Sequence, residues 1–222
     1  MYDFNFAPVL AAWDQLLLGA WLTIQLSGAA MALGLVVSVL GALAKTSGVR
    51  PLRWAVDVYV EVIRNTPFLV QIFFFYFGLP SLGVRLGPNE AALLALVVNF
   101  GAYGTEIIRA GIESIAKGQI EAGTALGLSK LQIFGYVIMK PALRTVYPSL
   151  TSQFIYLMLT SSVVSVISAN DLAAAGNDLQ SQTFASFEVY LAVTAIYLAL
   201  AAGFSAVFGA IERVAFTYPL GR

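Results

Sequence analysis

The chain has 222 residues, of which 59% are hydrophobic and only 11% are charged, and its formal net charge is zero. A soluble domain carries about a quarter charged residues, so this composition predicts an integral membrane protein with a single domain over residues 1–222. The chain has no cysteine and no histidine. This excludes disulfides, thiol chemistry, histidine-based acid–base catalysis and histidine metal sites, and we predict no metal site.

The first predicted span covers about residues 16–44, which is longer than the roughly 20 residues that a bilayer needs, so we expect it to be tilted. Asp3 and Asp14 precede it without any basic residue, whereas the following segment 45–53 is basic. Basic segments stay in the cytoplasm. The asymmetry therefore predicts that the amino terminus lies outside.

The second predicted span covers about residues 55–79 and contains Asn65-Thr66-Pro67. The apolar stretch after Pro67 is too short to cross alone, so the span must begin well before it. That places Glu61 and Arg64 near the inner interface, where charges are costly unless they are paired. We predict a structural ion pair between these two residues, in preference to contact with a ligand.

The third predicted span covers about residues 91–108, and Asn99, Tyr103 and Glu106 share one face of it. A polar stripe on a membrane helix faces the interior of a bundle or a wet cavity. Asn99 and Tyr103 therefore either line a path or bond to a neighbouring helix. Glu106 lies nearer the inner face, where we predict an ion pair with Arg109.

The stretch from Glu121 to Arg144 separates the third span from the fourth and is polar, basic and amphipathic. Its charge predicts a cytoplasmic location. Small residues near its start would let a partner surface approach closely, and Glu121 suits the positive end of a helix dipole. Gly127 can end a helix or turn the chain. The alternative is a solvated helix that contacts nothing.

The fourth predicted span covers about residues 146–168, with its first turn broken by Pro148. Hydroxyl and amide groups cluster on two neighbouring faces of it, and such a cluster favours a polar path over packing alone: Ser149, Gln153, Tyr156, Thr160, Ser161, Ser165 and Ser168. The next segment, 169–188, carries acidic residues and no basic one, which predicts an outer loop.

The fifth predicted span covers about residues 189–211 and leaves the carboxyl terminus in the cytoplasm. Apart from Arg64 and Arg85, every lysine and arginine falls in the predicted inner segments 45–53, 109–144 and 213–222. The pattern predicts an all-α polytopic membrane protein with five transmembrane helices, the amino terminus outside and the carboxyl terminus cytoplasmic.

Three stretches resemble the permease subunits of ABC importers for polar amino acids. Glu-Ala-Gly at 121–123, followed by Gly127 and an apolar run that ends at Pro141, resembles the EAA motif of these permeases. The sequence YVEVIRNTPFLVQIFFFYFGLP resembles their second span, and AYGTEIIRAGI resembles the end of their third. The resemblance covers nearly all of the chain from Leu16 to Arg213. It departs at Gly123, where the family usually has alanine.

The resemblance implies a transport subunit that is not an enzyme and moves a polar amino acid across the bacterial inner membrane. A cytoplasmic coupling helix between spans three and four would dock onto the ATPase through Glu121, Ala122, Gly123 and Gly127. The path would involve the following polar side chains: Asn99, Tyr103, Gln153, Thr160, Ser161 and Ser165. No cofactor is expected in this chain, and no nucleic acid.

The same resemblance implies several partners. They are a second permease subunit (identical or closely related), two ATPase subunits that hold ATP and Mg²⁺, an external solute-binding protein, the amino acid and membrane lipid. This chain has no G-x-x-x-x-G-K-[ST] loop of its own.

A secondary amino-acid transporter or channel is the alternative. Against it, five spans do not divide into two repeats, and no acidic residue lies at mid-membrane as an ion relay. A membrane-embedded enzyme has less support, since no carboxylate pair lies at mid-depth.

Overall fold

The computed structural model describes residues 4–216, so Asp3 and Arg222, which contribute to the predicted charge asymmetry, lie outside the described residues. Within that range the chain is helical and contains no strand, which confirms the all-α prediction. The helices are α1 (Ala7–Ala11), α2 (Trp13–Thr46), α3 (Arg50–Arg64), α4 (Phe68–Leu82), α5 (Pro88–Glu113), α6 (Lys117–Ala125), α7 (Lys130–Ile167), α8 (Leu172–Thr183) and α9 (Ser186–Ala215).

Four of these helices, α2, α5, α7 and α9, are long and apolar enough to cross a membrane, and α3 with α4 can form a fifth span. The second span is not the continuous helix predicted over residues 55–79, because α3 and α4 are bent by 108° where they meet. Pro67 causes the break. It is in an extended conformation, with φ −61° and ψ 138°, and a proline disfavours helical backbone in the residue before it.

Helix α7 begins well before the predicted fourth span and passes through Pro141 and Pro148. A capping box starts it: Ser129 accepts from the Gln132 backbone, and the Gln132 side chain accepts from the Ser129 backbone. A π-helical turn at Ile133–Ile138 precedes Pro141. That turn changes the backbone hydrogen-bond pattern just before Pro141, which has no N–H to donate. Pro148 lies inside the continuing helix, so the prediction that it breaks the first turn of the fourth span is wrong.

Helices α2 and α5 pack closely because small residues let their backbones approach. A Cβ atom on Gly104 would collide with Ser38 Oγ, and one on Gly41 would collide with Thr105 Oγ1. Ser38 Oγ also donates to the Gly34 carbonyl oxygen at 2.7 Å. The broken second span and α7 pack against this pair of helices.

The predicted outer loop 169–188 contains helix α8, which Asp171 caps by accepting a hydrogen bond from the Ala174 backbone at 2.8 Å. Asp171 is only 2% exposed, and Glu188 is 1% exposed and accepts from the Asn5 backbone. Burial raises the pKa of Asp171 to about 6, against the hydrogen bonds that it accepts from Ala174 and from the Tyr197 hydroxyl. Of the acidic residues in this segment, only Asp178 is an exposed side chain.

Candidate functional site

The side-chain amide of Gln71 forms hydrogen bonds across the bend between α3 and α4. Its Nε2 atom donates to the Ile63 carbonyl oxygen at 2.7 Å and to Thr66 Oγ1 at 2.9 Å. Its Oε1 atom accepts from Asn99 Nδ2 of α5 at 3.0 Å. Both amide side chains are buried. Of the two roles considered for Asn99, lining a path or bonding to a neighbouring helix, the structure shows a hydrogen bond to the neighbouring helix.

The predicted ion pair between Glu61 and Arg64 is not formed. The Glu61 carboxylate instead accepts from Asn65 Nδ2 at 2.8 Å, because a side chain at i+4 on the same helix can satisfy it as well as one at i+3. The Arg64 guanidinium lies over the ring of Tyr103, with its Cζ atom 5.4 Å from the ring centroid. This is the geometry of a cation–π contact.

Two adjoining cavities extend from Arg64 along the faces of α5 and α7. The first is about 390 Å³ and is lined by Arg64, Glu106, Ile107, Arg109, Ala110, Gly111, Thr145, Val146 and Ser149. The second is about 570 Å³ and is lined by Ile107, Pro148, Ser149, Ser152, Gln153 and Tyr156. Because both cavities share Ile107 and Ser149, they form one region, called here the α5–α7 groove.

Gln153 is the polar side chain of the groove whose hydrogen bonding is incomplete. Its Nε2 atom is buried and has no hydrogen-bond partner among the described residues. An unsatisfied buried donor costs about 1–3 kcal/mol, so this atom favours an acceptor that the isolated chain does not supply. Tyr156, three residues further along α7, is exposed.

The remaining polar residues of the predicted path are arranged differently. Ser161 is fully buried and donates to the Met158 carbonyl oxygen at 2.7 Å. Ser165 donates to the Ser162 carbonyl oxygen at 2.8 Å, and Thr160 is half-buried. Serine side chains that bond to their own helix have little capacity left for a ligand. The structure thus brings Gln153 to the groove and places Ser161 in the core.

An ionic network joins three helices at one end of α5. Lys45 Nζ lies 2.7 Å from Asp57 Oδ1 of α3 and also pairs with Glu106. Glu106 pairs in turn with Arg109 at 2.8 Å, and Arg109 pairs with Glu113. The local spacing on α5 indicated the Glu106–Arg109 contact. Lys45 and Asp57 were missed, and the signal available was that both charges lie at the same predicted inner boundary as Glu106.

Helix α6 is short and ends at Ala125. Gly127 follows two residues later, and its φ of +75° is in the left-handed region that favours glycine. The Leu128 backbone donates to the Gly123 carbonyl oxygen at 3.1 Å, and the Gly127 backbone donates to that of Thr124 at 2.9 Å. These two bonds form a Schellman motif. The predicted amphipathic stretch is thereby divided into α6 and the beginning of α7.

The predicted coupling residues do not all face outward. Glu121, Ala122 and Gly127 are exposed, but Gly123 is buried. A Cβ atom on Gly123 would lie 3.2 Å from Ile133 Cγ1 of α7. Its small size therefore serves packing within the chain rather than the approach of a partner.

Beside these residues, three large apolar side chains are exposed that sequence reasoning did not single out. Leu126 is 80% exposed, Leu131 is 85% exposed and Tyr136 is 71% exposed. We call these three residues the α6–α7 patch. Large exposed apolar side chains in an otherwise polar segment make that segment a candidate contact surface. Within residues 4–216, no group of three or more ligating side chains is placed to hold a metal ion.

The model of the family described as "Binding-protein-dependent transport system inner membrane component" matches residues 30–215. The chain belongs to this family. The permease is 36% identical over 213 residues to the glutamine transport system permease protein GlnP of Escherichia coli (strain K12), which covers 95% of this chain and 97% of that protein. It is 37% identical over 210 residues to the L-cystine transport system permease protein TcyB of Bacillus subtilis (strain 168), covering 94% and 87%.

Solved structures agree with this assignment. The permease superposes on a chain of an amino acid ABC transporter described "with histidines" with a TM-score of 0.89 and 34% identity, covering 96% of this chain and 99% of that one. An inward-facing MetNI methionine ABC transporter gives a TM-score of 0.76 at 22% identity, which shows the shared fold. The resemblance to importer permeases is confirmed, and the protein is a multi-pass membrane transport subunit.

Proposed function

We propose that this permease moves a polar amino acid across the bacterial inner membrane, in an importer driven by ATP. Relatives that match most of the chain are named for glutamine, cystine and arginine. The observation that carries the proposal is the α5–α7 groove, in which the buried Gln153 Nε2 atom has no partner among the described residues. Polar groups in a membrane need partners, and an amino acid supplies acceptors as well as donors.

In this proposal the path runs along the groove. Arg64, which rests on the Tyr103 ring, lines one part of it, and Ser149, Gln153 and Tyr156 lie along α7. Asn99 contributes indirectly, because its bond to Gln71 fixes the end of α3 that carries Arg64. Thr160 continues the stripe of polar residues on α7, while Ser161 and Ser165 support the backbone of that helix.

A second permease subunit would cover the groove from the other side and close the path. The groove and the charged end of α3 are accessible in the single chain, which supports such a partner. Two ATPase subunits would bind ATP and Mg²⁺, and an external solute-binding protein would deliver the amino acid to the side where α8 lies.

Coupling to the ATPase is assigned to α6 and to the α6–α7 patch. The patch offers apolar contact area, and the buried centre of a protein interface is more apolar than its rim. The Schellman motif at Gly127 fixes the angle between α6 and α7, so a force on α6 would be passed to the helix that lines the groove. The basic inner segments support the cytoplasmic location of this surface.

Transport in proteoliposomes tests the proposal. The permease is reconstituted with its ATPase and its solute-binding protein, and uptake of radiolabelled glutamine, cystine and arginine is measured with and without ATP. We expect ATP-dependent accumulation of at least one amino acid that persists when ionophores collapse the proton and sodium gradients. Uptake by the permease alone that follows an ion gradient would instead support the secondary transporter.

A further inference from the structure

We infer that a cavity between α2 and α9 binds one acyl chain of a phospholipid from the cytoplasmic leaflet. The cavity has a volume of about 490 Å³ and is lined by side chains of α2, α5, α7 and α9. We call it the lateral cavity, and it has no part in the proposed function. Its lining includes Leu35, Ile108, Ile138, Leu143, Phe208 and Ile211.

The lateral cavity is the space that α2 and α9 leave where each packs against a different helix. At the end that carries α8, the two helices share one buried cluster, to which Leu16 and Val189 belong. Further along, α2 remains packed against α5. Helix α9 instead remains attached to α7, where the Tyr147 hydroxyl donates to the Phe208 carbonyl oxygen at 2.9 Å. A wedge therefore lies between α2 and α9, with α5 and α7 as its floor.

The polar side chains of the lining are already engaged. In the part of the chain that the structure describes, only Tyr147 and Thr151 bring a polar side chain to the lateral cavity. The Tyr147 hydroxyl donates to Phe208, and the Thr151 hydroxyl donates to the Pro148 carbonyl oxygen at 3.0 Å. Cavities lined by apolar groups stay dry and take up apolar molecules. The occupant that suits this lining is therefore a hydrocarbon.

The length and depth of the lateral cavity fit one acyl chain. Along α5 its lining extends from Phe100 to Ile112, which corresponds to about 18 Å of helix. One leaflet contributes half of a hydrocarbon core that is about 30 Å thick. Along α2 the lining reaches Leu43, two residues before Lys45, and basic segments stay in the cytoplasm. In the proposed topology, the chain thus comes from the cytoplasmic leaflet.

The lateral cavity opens towards the bilayer and is closed towards the α5–α7 groove. Leu35 and Ile211, on its two edges, are exposed apolar side chains, and α9 buries little of its surface within the chain. On the far side α5 and α7 are in close contact, since a Cβ atom on Gly111 would collide with Val146. An empty cavity would forgo the dispersion contacts of its lining, whereas lipid hydrocarbon is present at its mouth.

The charges at the mouth suit a phospholipid. The lining residues Met139 and Ile211 are followed by two exposed basic residues, Lys140 and Arg213, against one exposed acid, Glu212. Basic sites between membrane helices on the cytoplasmic side bind lipid head groups. The phosphate would therefore lie at this rim, with one acyl chain inserted between α2 and α9.

The first experiment uses the assembled wild-type transporter in vesicles of phosphatidylethanolamine and phosphatidylglycerol. A small fraction of the phosphatidylglycerol carries a diazirine on its acyl chain, and mass spectrometry identifies the residues that it labels on irradiation. We expect labelling of Ile108 and Ile112, which line the floor of the lateral cavity. A free fatty acid with the same diazirine, at the same mole fraction, should label them severalfold less.

The second experiment compares Leu35→Trp with Leu33→Trp. Both leucines are exposed residues of α2, but of the two only Leu35 lines the lateral cavity. The indole at position 35 would occupy part of the space. We expect Leu35→Trp to lower labelling of Ile108 and Ile112 severalfold and Leu33→Trp to match wild type. Leu43→Trp, at the mouth, and Leu40→Trp, outside it, form a second matched pair.

Each outcome decides one point. Absence of label on α5 in wild type, or equal labelling in Leu35→Trp and Leu33→Trp, would overturn the inference. Labelling by the fatty acid alone would overturn the phospholipid as the source of the chain. Should Leu35→Trp not assemble, the Leu43 and Leu40 variants replace the first pair. Because labelling requires no transport, an importer that accumulates no amino acid would refute the proposed function and leave this inference standing.

Discussion

Asn99 Nδ2 donates to Gln71 Oε1 at 3.0 Å, and this bond attaches the middle of α5 to α4 of the broken second span. Both side chains are buried, and the Gln71 amide also satisfies backbone and hydroxyl oxygens at the end of α3. The 108° bend is therefore a fixed elbow with specific partners. Its geometry decides where Arg64 lies relative to α5.

Replacing Gln71 should destabilise the permease more than replacing Asn99. Asn99→Leu leaves one buried acceptor unsatisfied, which costs about 1–3 kcal/mol. Gln71→Leu removes the same hydrogen bond between the two side chains. In addition, it leaves the Ile63 carbonyl oxygen without its side-chain donor. Thermal unfolding of both variants in detergent measures the difference. Unchanged stability in Gln71→Leu would show that the elbow is held by other contacts.

Gly127→Val should leave the protein inserted in the membrane but abolish transport and ATPase stimulation. A β-branched residue is strained at a φ of +75°, so the Schellman motif that orients α6 would be lost. Gly118→Ala is the control, because Gly118 lies within α6, has no positive φ and has no atom near its Cβ position. Normal uptake by the valine variant would exclude α6 as the coupling element.

Leu126→Asp should weaken docking of the ATPase. The side chain is 80% exposed, and a charge that is buried in an apolar contact without a partner loses several kcal/mol of hydration free energy. Co-purification of the ATPase with the permease measures the effect. Gln119→Asp introduces the same charge at an exposed position of α6 and should have little effect. Equal losses in both variants would indicate a general charge effect instead.

The end of the protein that carries α8 should lose stability as the pH rises through about 6. Burial raises the pKa of Asp171 to about 6, above its unfolded value near 3.9. The fold thus favours the protonated acid, and this contribution is complete below pH ~4 and is lost as the group ionises. The difference corresponds to roughly 2–3 kcal/mol.

Asp171→Asn tests this because the amide keeps a helix-capping oxygen but does not titrate. The melting temperature of wild type should fall between pH 4 and pH 7 relative to that of the asparagine variant. Parallel curves for the two proteins would show that another group controls the pH dependence.

Cysteine labelling should place α8 outside the cell. The chain contains no cysteine, so Asp178→Cys introduces a unique thiol at an exposed position of α8. A membrane-impermeant maleimide should modify it from the outside and should modify Gln119→Cys on α6 only after the cells are opened. The reverse pattern would invert the proposed topology.

Much of the fold follows from hydropathy alone. The long apolar segments predicted the four membrane helices that are not broken by a bend, although α5 begins at Pro88, before the predicted start of the third span near residue 91. The elbow could not be predicted from local sequence. Pro67 indicates a break but gives no angle, since the angle depends on the tertiary contact between Gln71 and Asn99.

The candidate site was predicted less completely, for a related reason. Spacing along one helix shows which charges can meet, as with Glu106 and Arg109, but it cannot show a competing partner. Glu61 bonds to Asn65 and Arg64 turns to Tyr103 of another helix. Gly123 is likewise small enough to lie at an interface with a partner, and only the fold shows that it faces α7 of the same chain.

The elbow has a consequence for the order in which the chain is made. Helix α3 and helix α4 precede α5 in synthesis, yet the residues that hold them in place, Val98 and Asn99, belong to α5. A ribosome that has delivered only the first 82 residues to the membrane has supplied none of these anchors. The broken segment therefore lacks its hydrogen bonds to α5 until the next helix is made, and chains truncated between the two should be degraded faster than chains truncated after α5.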